Sequence, residues 1–441
     1  MISLRRLCLS LSLVAGSLGT AAAQQVTVQV GLDHSVLAAN TKQTSYLRVG
    51  LQGFESTSES TRAPLNVAIV IDKSGSMSGE KIANARAAAK AALDALSPDD
   101  IVAVVAFDDT VQVLVPATKA SDRATIVQGI DRLNAGGMTA LFAGVVKGGA
   151  EVRKFLSKER VNRVILLSDG QANVGYSSSA SLGQLGAQLR KEGIAVTTLG
   201  LGLGYNEDLL VQLARESGGQ HVFIEDHHQL AKVFREGFGG LASIVAQEVT
   251  ITIKLADGVR AVRVLGKDAE IIGQTVTVQM AELYAGQLDD VLLEIEVPVT
   301  APQSKQIASV DVTYHNAITR AADRIAMTIS AEFADDLGRV ERSAQKDVAV
   351  AVTERLANEA SQRAVALRDE GKIEEARRLI EDNAKRLQEG ARRWDSKTLD
   401  RLSKDYELDA DNLDGDGWNK QRKHMARRNY VSPYQLDNTN F

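Results

Sequence analysis

From Asn66 to about residue 241, short runs of β-branched residues alternate with stretches in which apolar residues recur every three to four positions. The first pattern predicts buried strands, and the second predicts amphipathic helices that cover them. The predicted strands span residues 67–71, 101–107, 111–115, 161–167, 194–201 and 220–224, and the predicted helices span residues 80–96, 122–133, 141–156, 182–192, 207–216 and 229–241. This alternating order predicts a doubly wound α/β domain whose sheet is covered on both faces.

On both sides of this region, apolar and polar residues alternate at period two, which is typical of strands with one buried face. The predicted strands span residues 26–30 and 46–51 before the α/β domain, and residues 248–255, 259–265, 276–280, 291–297, 307–314 and 325–333 after it. Two strands alone make a marginally stable hairpin, so we expect the early strands to complete sheets formed by the later ones. The α/β domain is therefore predicted to be inserted into a β-sandwich.

After about Asp336 the chain is rich in Ala, Glu, Arg and Leu, and its apolar residues form two helical stripes, at positions 348, 352, 356 and 360 and at positions 373, 376, 380 and 387. Two helices joined at residues 369–372 predict an antiparallel helical hairpin. We expect this hairpin to brace the sandwich, and packing against another chain is the alternative, because one helical pair cannot bury both of its faces.

The predicted organisation is a signal peptide at 1–23, N-terminal strands of the sandwich at 24–62, the α/β domain at 63–242, the β-sandwich at 243–336, the helical hairpin at 337–400 and a C-terminal tail at 401–441. The signal peptide is inferred from Arg5 and Arg6, an apolar run at 7–18 and small residues ending at Ala23. Cleavage near Ala23 predicts a periplasmic or secreted protein whose mature chain has no transmembrane segment. A membrane anchor is the alternative.

The composition is that of a folded, soluble protein, since 44% of the 441 residues are hydrophobic and 24% are charged. These values exclude a disordered or collagen-like chain. A net charge of -5 gives no basic footprint, so we expect no nucleic-acid partner. The single cysteine, Cys8, excludes a disulfide framework and a thiolate zinc site.

Side chains with oxygen donors follow two predicted strands and precede one predicted helix. Asp72, Ser74 and Ser76 come directly after the first strand of the α/β domain. Thr139 precedes the helix at 141–156, and Asp169 follows the strand at 161–167. Because open α/β sheets bind ligands at the carboxyl ends of their strands, we expect these five side chains to lie together. Oxygen donors without His or Cys select Mg²⁺ or Mn²⁺, with Ca²⁺ as a further candidate, over zinc or copper.

These three motifs, in this order, resemble the metal-ion-dependent adhesion site of the von Willebrand factor type A (VWA) domain, over roughly residues 66–241. The resemblance implies a doubly wound, Rossmann-like fold. It implies that Ser74, Ser76 and Thr139 contact the cation directly, whereas Asp72 and Asp169 act mainly through metal-bound water. An inner shell without a carboxylate from the protein leaves a position that an Asp or Glu of a partner can occupy. A metal that only ties the loops together is the alternative.

The sequence thus predicts an exported, non-enzymatic binding or adhesion protein that captures a protein partner through a cation and an acidic partner residue. The layout resembles bacterial VWA proteins and, more loosely, inter-alpha-trypsin inhibitor heavy chains and calcium-activated chloride channel regulators. One alternative is a scaffold subunit of an envelope complex that self-associates through the C-terminal helices. A metal-dependent hydrolase is less well supported, because its one candidate general base, Asp169, is already committed to the metal's shell.

Three further segments carry polar residues that could bind metal or a partner. His227 and His228 are interpreted as a surface turn, with metal binding as the alternative. Residues 412–417 match the opening of a calcium loop, but Lys423 stands where such a loop needs a glutamate, so an acidic turn is the better interpretation. The basic run at 420–428 is interpreted as solvated surface.

Overall fold

The computed structural model describes residues 25–54, 62–414 and 417–431. The predicted signal peptide at 1–23 lies outside these residues and stays a prediction. No helix within the described ranges is both long enough and apolar enough to cross a bilayer.

The α/β domain is built on a six-stranded sheet, and three strands of the sandwich precede it in the chain. The early strands are β1 (Val26–Leu32), β2 (Val36–Ala38) and β3 (Gln43–Gly53). The α/β domain contains β4 (Leu65–Asp72), β5 (Ile101–Phe107), β6 (Val111–Lys119), β7 (Val161–Ser168), β8 (Ala195–Leu201) and β9 (His221–Ile224). They form one sheet in the order β6-β5-β4-β7-β8-β9, parallel except for β6. Both faces of β4 are buried along its whole length, as its continuous apolar run predicts.

Helices cover both faces of this sheet. They are α1 (Glu80–Asp94), α2 (Arg123–Asp131), α3 (Leu141–Arg153), α4 (Ser179–Lys191), α5 (Glu207–Ser217) and α6 (Leu230–Ala242). One core lies between the sheet and α1, α2 and α6, and a second core lies between the sheet and α3, α4 and α5. The predicted doubly wound α/β fold is therefore confirmed.

The later strands form the sandwich together with the early ones. They are β10 (Ile244–Leu255), β11 (Arg260–Leu265), β12 (Glu270–Ile272), β13 (Thr275–Tyr284), β14 (Leu288–Val297), β15 (Gln303–Asn316) and β16 (Ala322–Ala334). One sheet has the order β1-β3-β14-β11 and the other β12-β13-β10-β15-β16-β2, with one apolar core between them. The chain thus leaves the sandwich after β3 and returns to it at β10. The strands β2 and β12 were not predicted, because three residues are too few to show a period-two pattern.

The C-terminal region contains more helix than the sequence predicted. The predicted hairpin is formed by α8 (Lys346–Asp369) and α9 (Ile373–Trp394), after a short α7 (Leu337–Arg342). Residues 401–431 were predicted as part of a tail, and this is wrong, because α10 (Lys397–Asp411) and α11 (Trp418–Val431) occupy most of them. The apolar stripe of α11 is sparse, with Trp418, Met425 and Tyr430 buried, and charged contacts that a hydrophobic pattern does not reveal also hold this helix.

Candidate metal centre

The first loop of the candidate site follows β4. Asp72 is the last residue of this strand and is fully buried. Its Oδ1 accepts a hydrogen bond from the backbone amide of Ser74 at 2.8 Å, which folds the chain back toward the sheet. A 3-10 turn at Gly75–Met77 then places the Ser76 hydroxyl 3.1 Å from that of Ser74. This sharp turn brings two hydroxyls and one carboxylate to the carboxyl end of a central strand.

The second loop contains Thr139, which lies just before α3. Its glycines hold it against the first loop, since the amide of Gly75 donates to the carbonyl of Gly137 at 3.0 Å and the amide of Gly136 to that of Lys73 at 2.7 Å. Gly137 has φ of +78°, and a Cβ added there would lie 2.1 Å from Oδ1 of Asp109. The loop therefore requires glycine at this position.

The third loop follows β7 and brings Asp169 to the same place. Ser76 Oγ donates to Asp169 Oδ1 at 2.7 Å, so the first and third loops are directly joined. A Cβ added to Gly170 would lie 3.4 Å from Thr139 Oγ1, 3.5 Å from Ser76 Oγ and 3.8 Å from Asp72 Oδ2. The structure therefore brings together all five side chains that the sequence singled out, around one point beside Gly170.

Three residues that hold this cluster were not predicted from the sequence. Ser168 Oγ donates to Asp72 Oδ2 at 2.6 Å, and Asn173 Oδ1 accepts from the amide of Thr139 at 2.8 Å. Lys81 Nζ donates to Asp169 Oδ2, and to the carbonyl of Ser76 at 3.2 Å. Ser168 directly precedes Asp169 and could have been noticed, but nothing in the chain's local pattern points to Asn173 or Lys81.

The electrostatics of the cluster favour a cation. Burial raises the pKa of the Asp72 carboxyl above its ordinary value, the hydrogen bonds from Ser168 and Ser74 oppose this only in part, and the charge of Asp169 raises it further. Lys81 pairs with Asp169 and offsets part of this negative charge, whereas Lys73 pairs with Asp108, outside the cluster. Two buried carboxylates and three hydroxyls make a hard oxygen donor set, which fits Mg²⁺ or Mn²⁺.

The helix α11 holds another loop of the α/β domain close to this cluster. Lys423, predicted to lie in a solvated basic run, is buried and donates to Glu207 at 2.5 Å and to the carbonyl of Tyr205 at 3.0 Å. The loop before α5 also contains Gly204, where an added Cβ would lie 3.1 Å from the backbone oxygen of Asp169. The prediction for the basic run is therefore wrong at Lys423, whose ammonium neutralises a buried carboxylate of the α/β domain, whereas Lys420 of the same run is exposed.

The segment at 412–417 was interpreted as an acidic turn. Within the part that the structure describes, Asp414 pairs with Arg377, and Lys423 has the contacts given above. Gly415 and Asp416 lie outside the described residues.

A comparison with protein families identifies the α/β domain. The model of the von Willebrand factor type A domain matches residues 66–236, which include all five side chains of the cluster. Residues 66–236 form a VWA domain. Domains of this family typically mediate protein–protein interaction or adhesion, and they commonly bind a divalent metal.

The curated relatives match only part of this chain. An uncharacterized protein of Synechocystis is 31% identical over 195 residues, which are 44% of this chain and 46% of the relative. The mouse inter-alpha-trypsin inhibitor heavy chain H2 is 31% identical over 165 residues, 35% of this chain and 17% of the relative. The E3 ubiquitin-protein ligase WAV3 of Arabidopsis is 26% identical over 264 residues, 57% of this chain and 33% of the relative. The chain thus spans less than half the length of each of these relatives.

A solved structure shares the whole layout. The von Willebrand factor type A protein from Catenulispora acidiphila aligns with a TM-score of 0.71 over 92% of this chain and 96% of its own, at 18% identity. At this identity the likeness shows the fold alone, which extends beyond the VWA domain to the sandwich and the C-terminal helices.

Proposed function

We propose that this chain is an exported, non-enzymatic binding or adhesion protein, which captures a protein partner through a divalent cation and an acidic residue of that partner. The convergence of Asp72, Ser74, Ser76, Thr139 and Asp169 carries the proposal. The basic start, apolar run and small-residue end of residues 1–23 support export.

The resemblance to the metal-ion-dependent adhesion site of VWA domains implies how a cation would be held. Ser74, Ser76 and Thr139 would contact it directly, and Asp72 and Asp169 would contact it mainly through water. When bound, the cation supplies a Lewis-acidic position that attracts a carboxylate from outside the chain. Asp72 is fixed by Ser168 and Asp169 by Ser76, so the carboxylates are oriented before any ligand arrives. Since hydrogen bonds already engage Asp169, it is poorly placed as a general base, which favours binding over hydrolysis.

The surface around the cluster suits a protein ligand. Met138, next to Thr139, is 55% exposed, and Tyr176, in the loop after Asp169, is 66% exposed and packs against Phe142 with ring centroids 5.0 Å apart. Leu203, in the loop that approaches Asp169, is also exposed. Exposed apolar side chains next to a polar site are typical of surfaces that bind proteins. We infer a partner whose acidic residue has apolar neighbours.

The experiment compares Asp72→Ala with Asp94→Ala, which alters an exposed aspartate at the far end of α1. Calorimetric titration with Mg²⁺ and Mn²⁺ should show one site in the wild type and in Asp94→Ala, and no binding in Asp72→Ala. Crosslinking pull-down from periplasmic and cell-surface extracts, with Mg²⁺ or with EDTA, should then capture a partner only where the cation binds. Metal uptake that is unchanged in Asp72→Ala, or capture that is the same in EDTA, would contradict the proposal.

The lysine beside the cluster gives a second prediction. Lys81→Met should raise the affinity for Mg²⁺ by about fivefold, because removal of a partly screened positive charge near the cation is worth about 1 kcal/mol. Lys90→Met alters a half-buried lysine of the same helix that pairs with Asp131, so it serves as the control and should leave the affinity unchanged. Calorimetric titration measures both. A lower affinity in Lys81→Met would mean that Lys81 serves instead to hold Asp169 in place.

The packing of the C-terminal helices gives less support to a self-associating scaffold than to a brace of the sandwich. Val348 and Val352 of α8 pack against Leu265 and Leu292 of the sandwich, and α9, α10 and α11 share a core with the rest of α8. These apolar faces thus have partners within the chain, which favours a brace over an assembly surface.

A further inference from the structure

A second group of side chains of types that bind metals lies outside the oxygen cluster formed by Asp72, Ser74, Ser76, Thr139 and Asp169. His227 and His228 form a 3-10 turn with Gln229 after β9, and Glu80 begins α1. Their candidate ligand atoms, one from each residue, all lie within 4.8 Å of one another. The two imidazole rings have centroids 4.3 Å apart, and His227 Nε2 lies 3.8 Å from Glu80 Oε2. The fold therefore brings two imidazoles and a carboxylate from distant parts of the sequence to one point on the surface.

The turn that carries the histidines is fixed by its own hydrogen bonds. Asp226 precedes it and accepts the amide of His228 through Oδ1 at 2.9 Å, while the amide of Gln229 donates to the carbonyl of Asp226 at 3.0 Å. The backbone of both histidines is thereby held in place. The side chain of Glu80 is 77% exposed and is free to adjust its rotamer.

Asn84 fixes the ring of His227. Its side-chain nitrogen Nδ2 lies 2.8 Å from His227 Nδ1. In this orientation of the amide, Nδ1 accepts the hydrogen bond and Nε2 carries the ring proton. A flip of the amide brings Oδ1 to the ring, so that Nδ1–H donates to it and Nε2 presents its lone pair toward Glu80, which is the arrangement that metal binding requires. Histidines that bind metals are usually oriented in this way by a hydrogen bond at the second ring nitrogen. Asn84 lies one helical turn after Glu80 on α1, so the same helix provides a ligand and the group that orients another.

We propose that Glu80, His227 and His228 bind a borderline transition-metal dication, with Zn²⁺ as the probe. Imidazole nitrogens favour such ions over Mg²⁺ and Ca²⁺. Ligand atoms about 2.0–2.2 Å from one tetrahedral zinc ion lie about 3.4 Å apart, so closure of this cluster requires shifts of only about 1 Å. Three ligands of the protein leave a fourth position to water or to a side chain of a partner. The site does not depend on the proposed function, because it shares no ligand with the oxygen cluster.

The experiment titrates the tag-free full chain with Zn²⁺ in excess Mg²⁺, so that the oxygen cluster is already supplied with its preferred ion. Wild type should take up one equivalent of Zn²⁺, and Co²⁺ substitution should give the visible absorption of a site of low coordination number. In the variant His227→Gln/His228→Gln the affinity should fall about a hundredfold or more, and in Asn84→Ala about tenfold. His34→Gln, which alters a histidine of the sandwich, is the matched control and should bind as wild type does.

Two comparisons make the result decisive. Thermal unfolding in EDTA should be the same for wild type and the double variant, which shows that the substitutions leave the fold intact. Asp72→Ala should retain Zn²⁺ binding even though it loses Mg²⁺, so the failure of one site does not imply the failure of the other. The proposal is overturned if wild type takes up no Zn²⁺, if the double variant binds as tightly as wild type, or if Zn²⁺ binding is lost in Asp72→Ala.

Discussion

Arg163→Met should lower the free energy of unfolding by about 3 kcal/mol, the largest loss expected from a single substitution of a charged residue at the junction of the VWA domain and the sandwich. Arg163 lies on β7 and is completely buried. Its guanidinium donates to Glu282 of β13, to Thr197 Oγ1 at 2.9 Å and to Tyr284 Oη at 3.3 Å. Burial by itself would lower the pKa of Arg163, but the charge of Glu282 holds it above its ordinary value.

The size of this destabilisation follows from the Glu282 carboxylate that Arg163→Met leaves without its cationic partner. Without Arg163, the Glu282 carboxylate loses its cation, although its side chain is only 9% exposed. A broken buried pair usually costs about 3–5 kcal/mol. We expect the lower end of that range, because Glu282 borders a cavity of about 730 Å³ between the two domains, from which water can reach it.

Urea unfolding followed by circular dichroism measures the loss. Arg153→Met is the matched control, since Arg153 lies in the same domain and pairs with Glu192, but their side chains are 35% and 28% exposed. An exposed pair of this kind is worth about 0–1 kcal/mol. If the two variants lose the same stability, the buried pair does not join the domains as inferred here.

Lys423→Met should lower the free energy of unfolding by about 2–3 kcal/mol and loosen α11 from the VWA domain. The Lys423 ammonium lies 4.3 Å from the centroid of the Tyr205 ring and donates to Glu207 and to the Tyr205 carbonyl. The loss should be smaller than for Arg163, because Arg422 also donates to Glu207, at 2.5 Å, and remains. The substitution should also loosen the loop before α5, which approaches the oxygen cluster at Gly204.

Lys420→Met provides the control for this substitution. Lys420 lies on the same helix and pairs with Glu225 of the same domain, but the side chains of this pair are 48% and 49% exposed, so solvent screens their attraction. Lys420→Met should therefore lower the free energy of unfolding by less than about 1 kcal/mol. Urea unfolding measures stability, and limited proteolysis near residue 412 reports release of α11. Equal protease resistance in Lys423→Met and wild type would contradict the role of Lys423 in holding α11.

The Lys423 contact also has a pH dependence. Burial alone would raise the pKa of Glu207, but hydrogen bonds from Lys423 and Arg422 hold it below its ordinary value. A lowered folded-state pKa means that the contribution of Glu207 is fully present above the ordinary pKa of a glutamate and is lost as the pH falls through the folded value. The difference in stability between wild type and Lys423→Met should therefore narrow in acid.

The sequence by itself determined the α/β fold and the membership of the oxygen cluster. Both depend on short-range order: a strand such as β4 shows a continuous apolar run, and Asp72, Ser74 and Ser76 follow it within five residues. Because carboxyl ends of parallel strands meet at one edge, knowledge of the strands was enough to place Asp169 with them. Thr139 follows α2 and not a strand, and it was placed there by its position before α3 and by the resemblance to the VWA domain.

The tertiary structure alone decided which distant polar groups meet. Lys81 against Asp169, Asn84 beside His227, and Lys423 against Glu207 join residues from separate elements, and no periodic pattern marks them. The basic run at 420–428 was assigned to solvent because it is short and is offset by the acidic residues before it. A charged side chain is buried only where the fold provides its partner, and that partner is known only once the chain is folded.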